Sequence, residues 1–161
     1  MEHLEAFARK IHGLVTDMDV VVYGAIDETA VQLVQVNKET LLDGIGSDGL
    51  PLNDLNPTFK RPGTPTLYKP LKASLNPRAA GRYDMNFTGA SFEAMKLQIQ
   101  QKRYSIIGAG WAARYDQGQV EWAANLRGRV FGIFENDHLL YYKRQYLYPT
   151  ISRRIKTYLG I

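Results

Sequence analysis

The 161-residue chain (18.2 kDa) is 45% hydrophobic, 22% charged and 11% aromatic, with no cysteine and a net charge of +4. These values exclude a wholly disordered chain, a collagen-like fibre, a disulfide scaffold, a thiolate nucleophile and any Cys-ligated zinc or iron–sulfur centre. No apolar run reaches the roughly 18–20 residues that span a bilayer, and the acidic start MEHLEAFARK lacks the apolar core of a secretory signal, so the expectation is one soluble, intracellular domain over residues 1–161.

In chain order, Leu4, Phe7, Ala8, Ile11, Leu14 and Val15 recur at helical spacing and predict an amphipathic helix over residues 2–15. Val20–Tyr23 is a β-branched run too short to distinguish a buried strand from the approach to the next helix. Asp27 then stands as an N-cap candidate for a helix over about 28–43, which Gly44 stops. Six of the seven prolines fall within residues 44–82, which excludes a long helix or a central strand there. The segment reads as an extended Pro-rich arm that orders against neighbouring subunits, or as a floppy loop. The pair Asp48-Gly49 reads as a tight turn.

From Met95 the alternation of Met95, Leu97 and Ile99 with Lys96, Gln98 and Gln100 predicts a half-buried strand. Lys102 and Arg103 turn it into a returning strand over Tyr104–Ile107, making a β-hairpin. Val130–Phe134 reads as another brief strand. Asn136 or Asp137 caps a last helix whose stripe runs through Leu140, Leu147, Ile151, Ile155 and Leu159, with a kink or break expected at Pro149. The fold class is α+β: a small antiparallel β-sheet packed with an amphipathic helix and a C-terminal helix, plus the Pro-rich arm.

Charge is unevenly spread. Residues 1–59 carry three basic against ten acidic side chains (−7), and residues 60–161 carry seventeen against six (+11). A basic half can face nucleic acid, opposed halves of identical subunits can dock head to tail, or both can be plain solvated surface.

Reactive constellations are scarce. His3 and His12 lie nine residues apart, about 13 Å along a helix, too far to share a metal. His138 has no carboxylate or histidine at a local ligand spacing. No serine sits in a nucleophile elbow, Gly108–Gly110 lacks the third glycine of a dinucleotide turn, and Asp17 with Asp19 has no surroundings suited to a glycosidase pair. The expectation is no enzyme, no cofactor and no metal. The ten tyrosines are more informative, four of them at Tyr141, Tyr142, Tyr146 and Tyr148 beside Lys143 and Arg144. Such a cluster anchors protein–protein interfaces or stacks on single-stranded bases, and half of it can pack the core.

Four segments stand in a characteristic order: LLDG followed by IGSDGLPLNDLNPT, then MNFTGASFEAMKLQI, then WAARYDQG, then LRGRVFGI. Over roughly residues 30–159 they resemble the phage virion morphogenesis proteins, the tail-completion or head–tail joining (neck) family. Asp116 stands where that family often has histidine, and Val130 where it usually has proline. The resemblance implies a structural protein at the head–tail junction or tail end of a tailed phage, carried in the virion after assembly in the host bacterial cytoplasm. Its implied partners are copies of itself in a homo-oligomeric ring (hexamer or dodecamer), connector and tail-tube proteins, and transiently genomic DNA, with no membrane. By the same resemblance Thr88 and Gly89 set the turn into the hairpin, Gln117 and Gly118 shape the bend before a variable loop, and Arg129 and Phe131 anchor the lead-in to the last helix. In such a ring Lys60, Arg61, Lys69 and Lys72 would line a lumen or face DNA. The alternative is a basic nucleic-acid-binding accessory protein that uses the tyrosine-rich C-terminal half.

Overall fold

The computed structural model describes residues 2–52, 54–55, 57–58, 67–83, 90–93, 95–100, 103–108 and 132–161. Three helices open the chain: α1 (Glu2–Thr16), α2 (Met18–Glu28) and α3 (Ala30–Leu42). They are followed by α4 (Tyr68–Leu75), a 3₁₀ turn (Pro77–Ala79), a single turn α5 (Ala90–Glu93) and the strands β1 (Met95–Gln100) and β2 (Arg103–Gly108). A C-terminal rod comprises α6 (Asp137–Tyr142), a π-helical stretch (Lys143–Leu147) and α7 (Tyr148–Leu159).

The chain is predominantly helical, and among the described residues its strands form one antiparallel hairpin. Met95 pairs with Gly108 and Gln100 with Arg103. A third strand was expected at Val130–Phe134, but residues 132–134 carry no strand pairing and Val130 and Phe131 lie outside the described residues.

The β-branched run at Val20–Tyr23 lies inside α2. Helix α3 begins two residues later than expected, and Asp27 caps nothing because it sits within α2. The break falls instead at Thr29, whose hydroxyl donates to the Ala25 carbonyl at 2.8 Å, a back-bond that bends helices. Helix α3 ends in a Schellman motif: the Gly44 amide donates to Leu41 O and the Ile45 amide to Thr40 O, with Gly44 at φ +69°. The Asn76 side chain donates to Leu42 O at 2.8 Å and satisfies a further terminal carbonyl.

The described part of residues 44–82 corrects the expectation of an extended arm. Gly46–Leu50 is a tight turn, closed by Gly49 N to Gly46 O and stabilised by the Asp48 carboxylate on Leu50 N. Ile45 bridges Pro51, Asp54 bridges Arg82, and Leu52, Leu55 and Ala79 are buried. Pro70 is tolerated because it is the third residue of α4, where the missing N–H would have had no helical partner.

Helix α3 lies at the centre and buries a broad face. Val34 and Leu41 pack with Leu52, Phe92 and Met95 on one side, while Leu33 and Val36 pack with Ile26 and Tyr142 on the other. Leu97 and Ile133 touch both groups. Asn37 is fully buried within this core, accepting from Gly132 N at 2.8 Å and donating to Met95 Sδ at 3.7 Å. Gly132 has φ +153°, and a Cβ there would stand 2.8 Å from Ser47 Cβ, so this close approach requires glycine.

Asn136 caps α6, its side chain accepting from Leu139 N at 2.8 Å. The break expected at Pro149 is a change of helical register instead. Pro149 has no N–H to return to the preceding turn, and the five residues before α7 widen to π geometry without ending the rod. The rod then packs along α1 and α2 through α7 and on α3 through α6.

Candidate interaction surfaces

The C-terminal rod divides its tyrosines between core and surface. Tyr142 is 2% exposed, and its hydroxyl lies 2.7 Å from Thr29 Oγ1. Since the Thr29 proton goes to the Ala25 carbonyl, Tyr142 is the donor. Tyr146 stacks beside it at 6.4 Å between ring centroids, and Tyr141 meets Tyr146 edge-on at 6.2 Å. Tyr141, Tyr146 and Tyr148 are exposed, as is Arg144. The buried ring thus fixes an aromatic row at the surface, on a rigid helix rather than on a loop.

The opposed charges of the two halves meet within one chain. On α2, Glu28 pairs with Arg153 and Arg154 of α7. The Tyr158 hydroxyl donates to Asp17 at 3.0 Å and is held above its ordinary pKa by that bond, and Lys10 donates to the Leu159 carbonyl at 2.9 Å. Lys143 pairs with Glu135 at 2.9 Å. A node joins the end of α3 to the 3₁₀ turn and to α6. Arg78 bonds Glu39 at 2.9 Å and Asp43 at 2.7 Å, and His138 Nε2 lies 2.9 Å from the second Asp43 oxygen. Burial pushes both carboxyls up, but hydrogen bonds outweigh it and hold them below their ordinary values: His138 and Arg78 for Asp43, Arg78 and Gln35 for Glu39. The same bonds, first to Glu39 and then to Asp43, raise Arg78 further.

Residues expected to matter are distributed as follows. Thr88, Gly89, Gln117, Gly118, Arg129, Phe131, Lys60 and Arg61 lie outside the described residues. Lys72 is a correction: it is 4% exposed on α4, so the helix turns it inward rather than toward a lumen or DNA. Lys69 is half-buried, with its ammonium 3.6 Å from Asp54. His3 and His12 are exposed on α1. His138 gains through folding the carboxylate partner that its local sequence lacks. Among the described residues no group of three or more His, Cys, Asp or Glu side chains could hold a metal, and no helix is long and apolar enough to cross a membrane.

The surface least expected from sequence is on α1. Residues 3–12 are exposed around the whole helix, and only Leu14 of the apolar stripe is buried. Leu4 is 75%, Val15 69%, Ile11 44% and Phe7 40% exposed. The periodicity that signals the helix is legible, but it cannot say whether the face is covered by its own chain. Compared with family models, curated proteins and solved structures, the chain has no match among them.

Proposed function

We propose that this chain is a non-catalytic structural protein that works by self-association and by docking onto companion proteins. The role is that of a tail-completion or head–tail joining component of a tailed phage. One observation carries the docking role: Tyr141 and Tyr146 meet at the surface of a helix anchored by buried Tyr142, with Tyr148 and Arg144 exposed on the same rod. Tyrosine and arginine are the side chains from which interface hot spots are built. The finer expectations belong to this proposal: a small antiparallel sheet around the hairpin, read from the strand alternation, and a ring of six or twelve copies, implied by the family resemblance.

The charge pairing favours attachment over nucleic-acid binding. Arg78, Arg153, Arg154, Lys69 and Lys143 each have an acidic partner within the chain, which reduces the free positive charge available to phosphates. The test is incorporation. The full chain should be found at fixed stoichiometry in purified tailed particles from cells that express it during infection. Tyr141→Ala with Tyr148→Ala should lower its incorporation at least tenfold while leaving its circular dichroism unchanged. Absence of the wild-type chain from particles would overturn the proposal, and tight, steeply salt-dependent DNA binding would replace it with the nucleic-acid reading.

A further inference from the structure

Helix α1 carries an apolar face that its own chain leaves open, and what can cover it is constrained by four observations. The first is need. A 15-residue helix is marginal on its own in water, and the contacts that tie α1 to its body include Lys10, Gly13, Leu14 and the following Asp17, all beyond its first half. The second is placement. At 100° per residue Leu4, Ile11 and Val15 lie within about 40° of one another, with Phe7 beside them, whereas the contacts to α7 at Lys10, Gly13 and Asp17 centre about 140° away. Leu4, Ile11 and Val15 are therefore turned away from the rod, with Phe7 at the edge nearest it.

The third observation is charge. On one flank of the stripe Glu5 and His12 are seven residues apart on the same side of the helix. In an antiparallel pair that sets Leu4 against Val15 and Ala8 against Ile11, Glu5 of each copy lies beside His12 of the other. A parallel pair instead turns this flank toward the opposite flank of the partner, which carries Lys10. Lys10, on the opposite flank, is turned to the Leu159 carbonyl at the end of α7. The fourth is size. From their fractional exposures the four side chains present at most about 400 Å² per copy, and with the polar share of an ordinary interface a symmetric pair would bury at most about 1,300 Å² in total. That is within the range of specific complexes. A lipid surface is a poorer occupant, because Glu2 and Glu5 balance Arg9 and Lys10, whereas membrane-surface helices are rich in unopposed Lys and Arg.

We infer that α1 pairs antiparallel with α1 of a second copy of this chain across a two-fold axis. This rests on the reading of the chain as a self-associating protein and names the surface through which two copies meet. The absence of cysteine allows a clean test in the full chain. Light scattering at tens of micromolar should give a dimer or an even multiple. Ile11→Glu should weaken association at least 100-fold with unchanged circular dichroism, and Ile11→Leu should not. Under mild oxidation, Leu4→Cys protein mixed with Val15→Cys protein should cross-link, and Leu4→Cys protein alone should not. Cross-linking of Leu4→Cys alone would replace the antiparallel pair with a parallel one and overturn the inference. Association indifferent to Ile11→Glu would overturn it while leaving self-association standing. A wild-type monomer at every concentration would overturn both, and so would flotation with anionic vesicles that Ile11→Glu abolishes in a chain that does not self-associate.

Discussion

Replacing Tyr142 by phenylalanine tests how the C-terminal rod is fastened to the helical body. The ring would keep its packing against Ile26, Leu33 and Val36, and the 2.7 Å bond to Thr29 would be lost. Thr29 would still donate to the Ala25 carbonyl, so the deficit is one buried acceptor contact, worth about 1 kcal/mol. For a chain of this length that lowers Tm by about 2–4 °C. Thr29→Val should cost more, about 1–3 kcal/mol, because it deprives the buried Tyr142 hydroxyl of this acceptor and also removes the back-bond that bends the chain between α2 and α3. The double variant leaves neither hydroxyl behind, so its cost should fall short of the sum of the singles by about 1 kcal/mol. Urea unfolding followed by circular dichroism, at one fixed protein concentration and with m-values compared, measures this directly. Additivity within about 0.3 kcal/mol would mean that the two hydroxyls do not interact, and the proposed fastening would be wrong.

Three further outcomes are expected. Gly44→Ala should destabilise by about 1–2 kcal/mol in the same assay, because φ +69° is unfavourable for any side chain and the new Cβ would stand 3.1 Å from the Ala79 carbonyl. Asn37→Leu should cost about 1–3 kcal/mol by removing the acceptor of the Gly132 amide inside the core, and hydrogen exchange at Gly132 should quicken. The Arg78 node should make stability depend on acid. Asp43 and Glu39 have folded-state pKa values below their unfolded ones, so their contribution is fully present above the ordinary carboxylate range of about 4 and is lost as pH falls through the folded values. Arg78→Gln should therefore flatten the fall of the urea midpoint below about pH 5, and parallel profiles for the two proteins would refute the assignment.

Much of the local structure was legible in the residues. The period of Leu4 to Val15 gave α1, Gly44 marked the end of α3, Asn136 was a cap candidate for the last helix, and the alternation from Met95 gave the first hairpin strand, though Arg103, read as part of the turn, opens the second. These are nearest-neighbour effects: side-chain period, a left-handed glycine and a capping amide act over four residues or fewer. Where local signals competed, sequence misled. Asp27 looked like a cap because an acidic side chain before an apolar run usually is one, yet Thr29 took the break by bonding back to Ala25 and forward in space to Tyr142.

Other features depend on pairs far apart in the chain, which no local pattern encodes. His138 became a partner of Asp43 across 95 positions, and the acidic and basic halves neutralised each other at Glu28, Arg153 and Arg154. Lys72 turned inward although its segment is basic and rich in proline. The sequence alone established helices with an apolar stripe and a hairpin. Only the tertiary structure decided that the stripe of α3 is buried and that of α1 is not. Periodicity records how a helix is divided into faces, whereas burial depends on which surface the rest of the chain brings against each face.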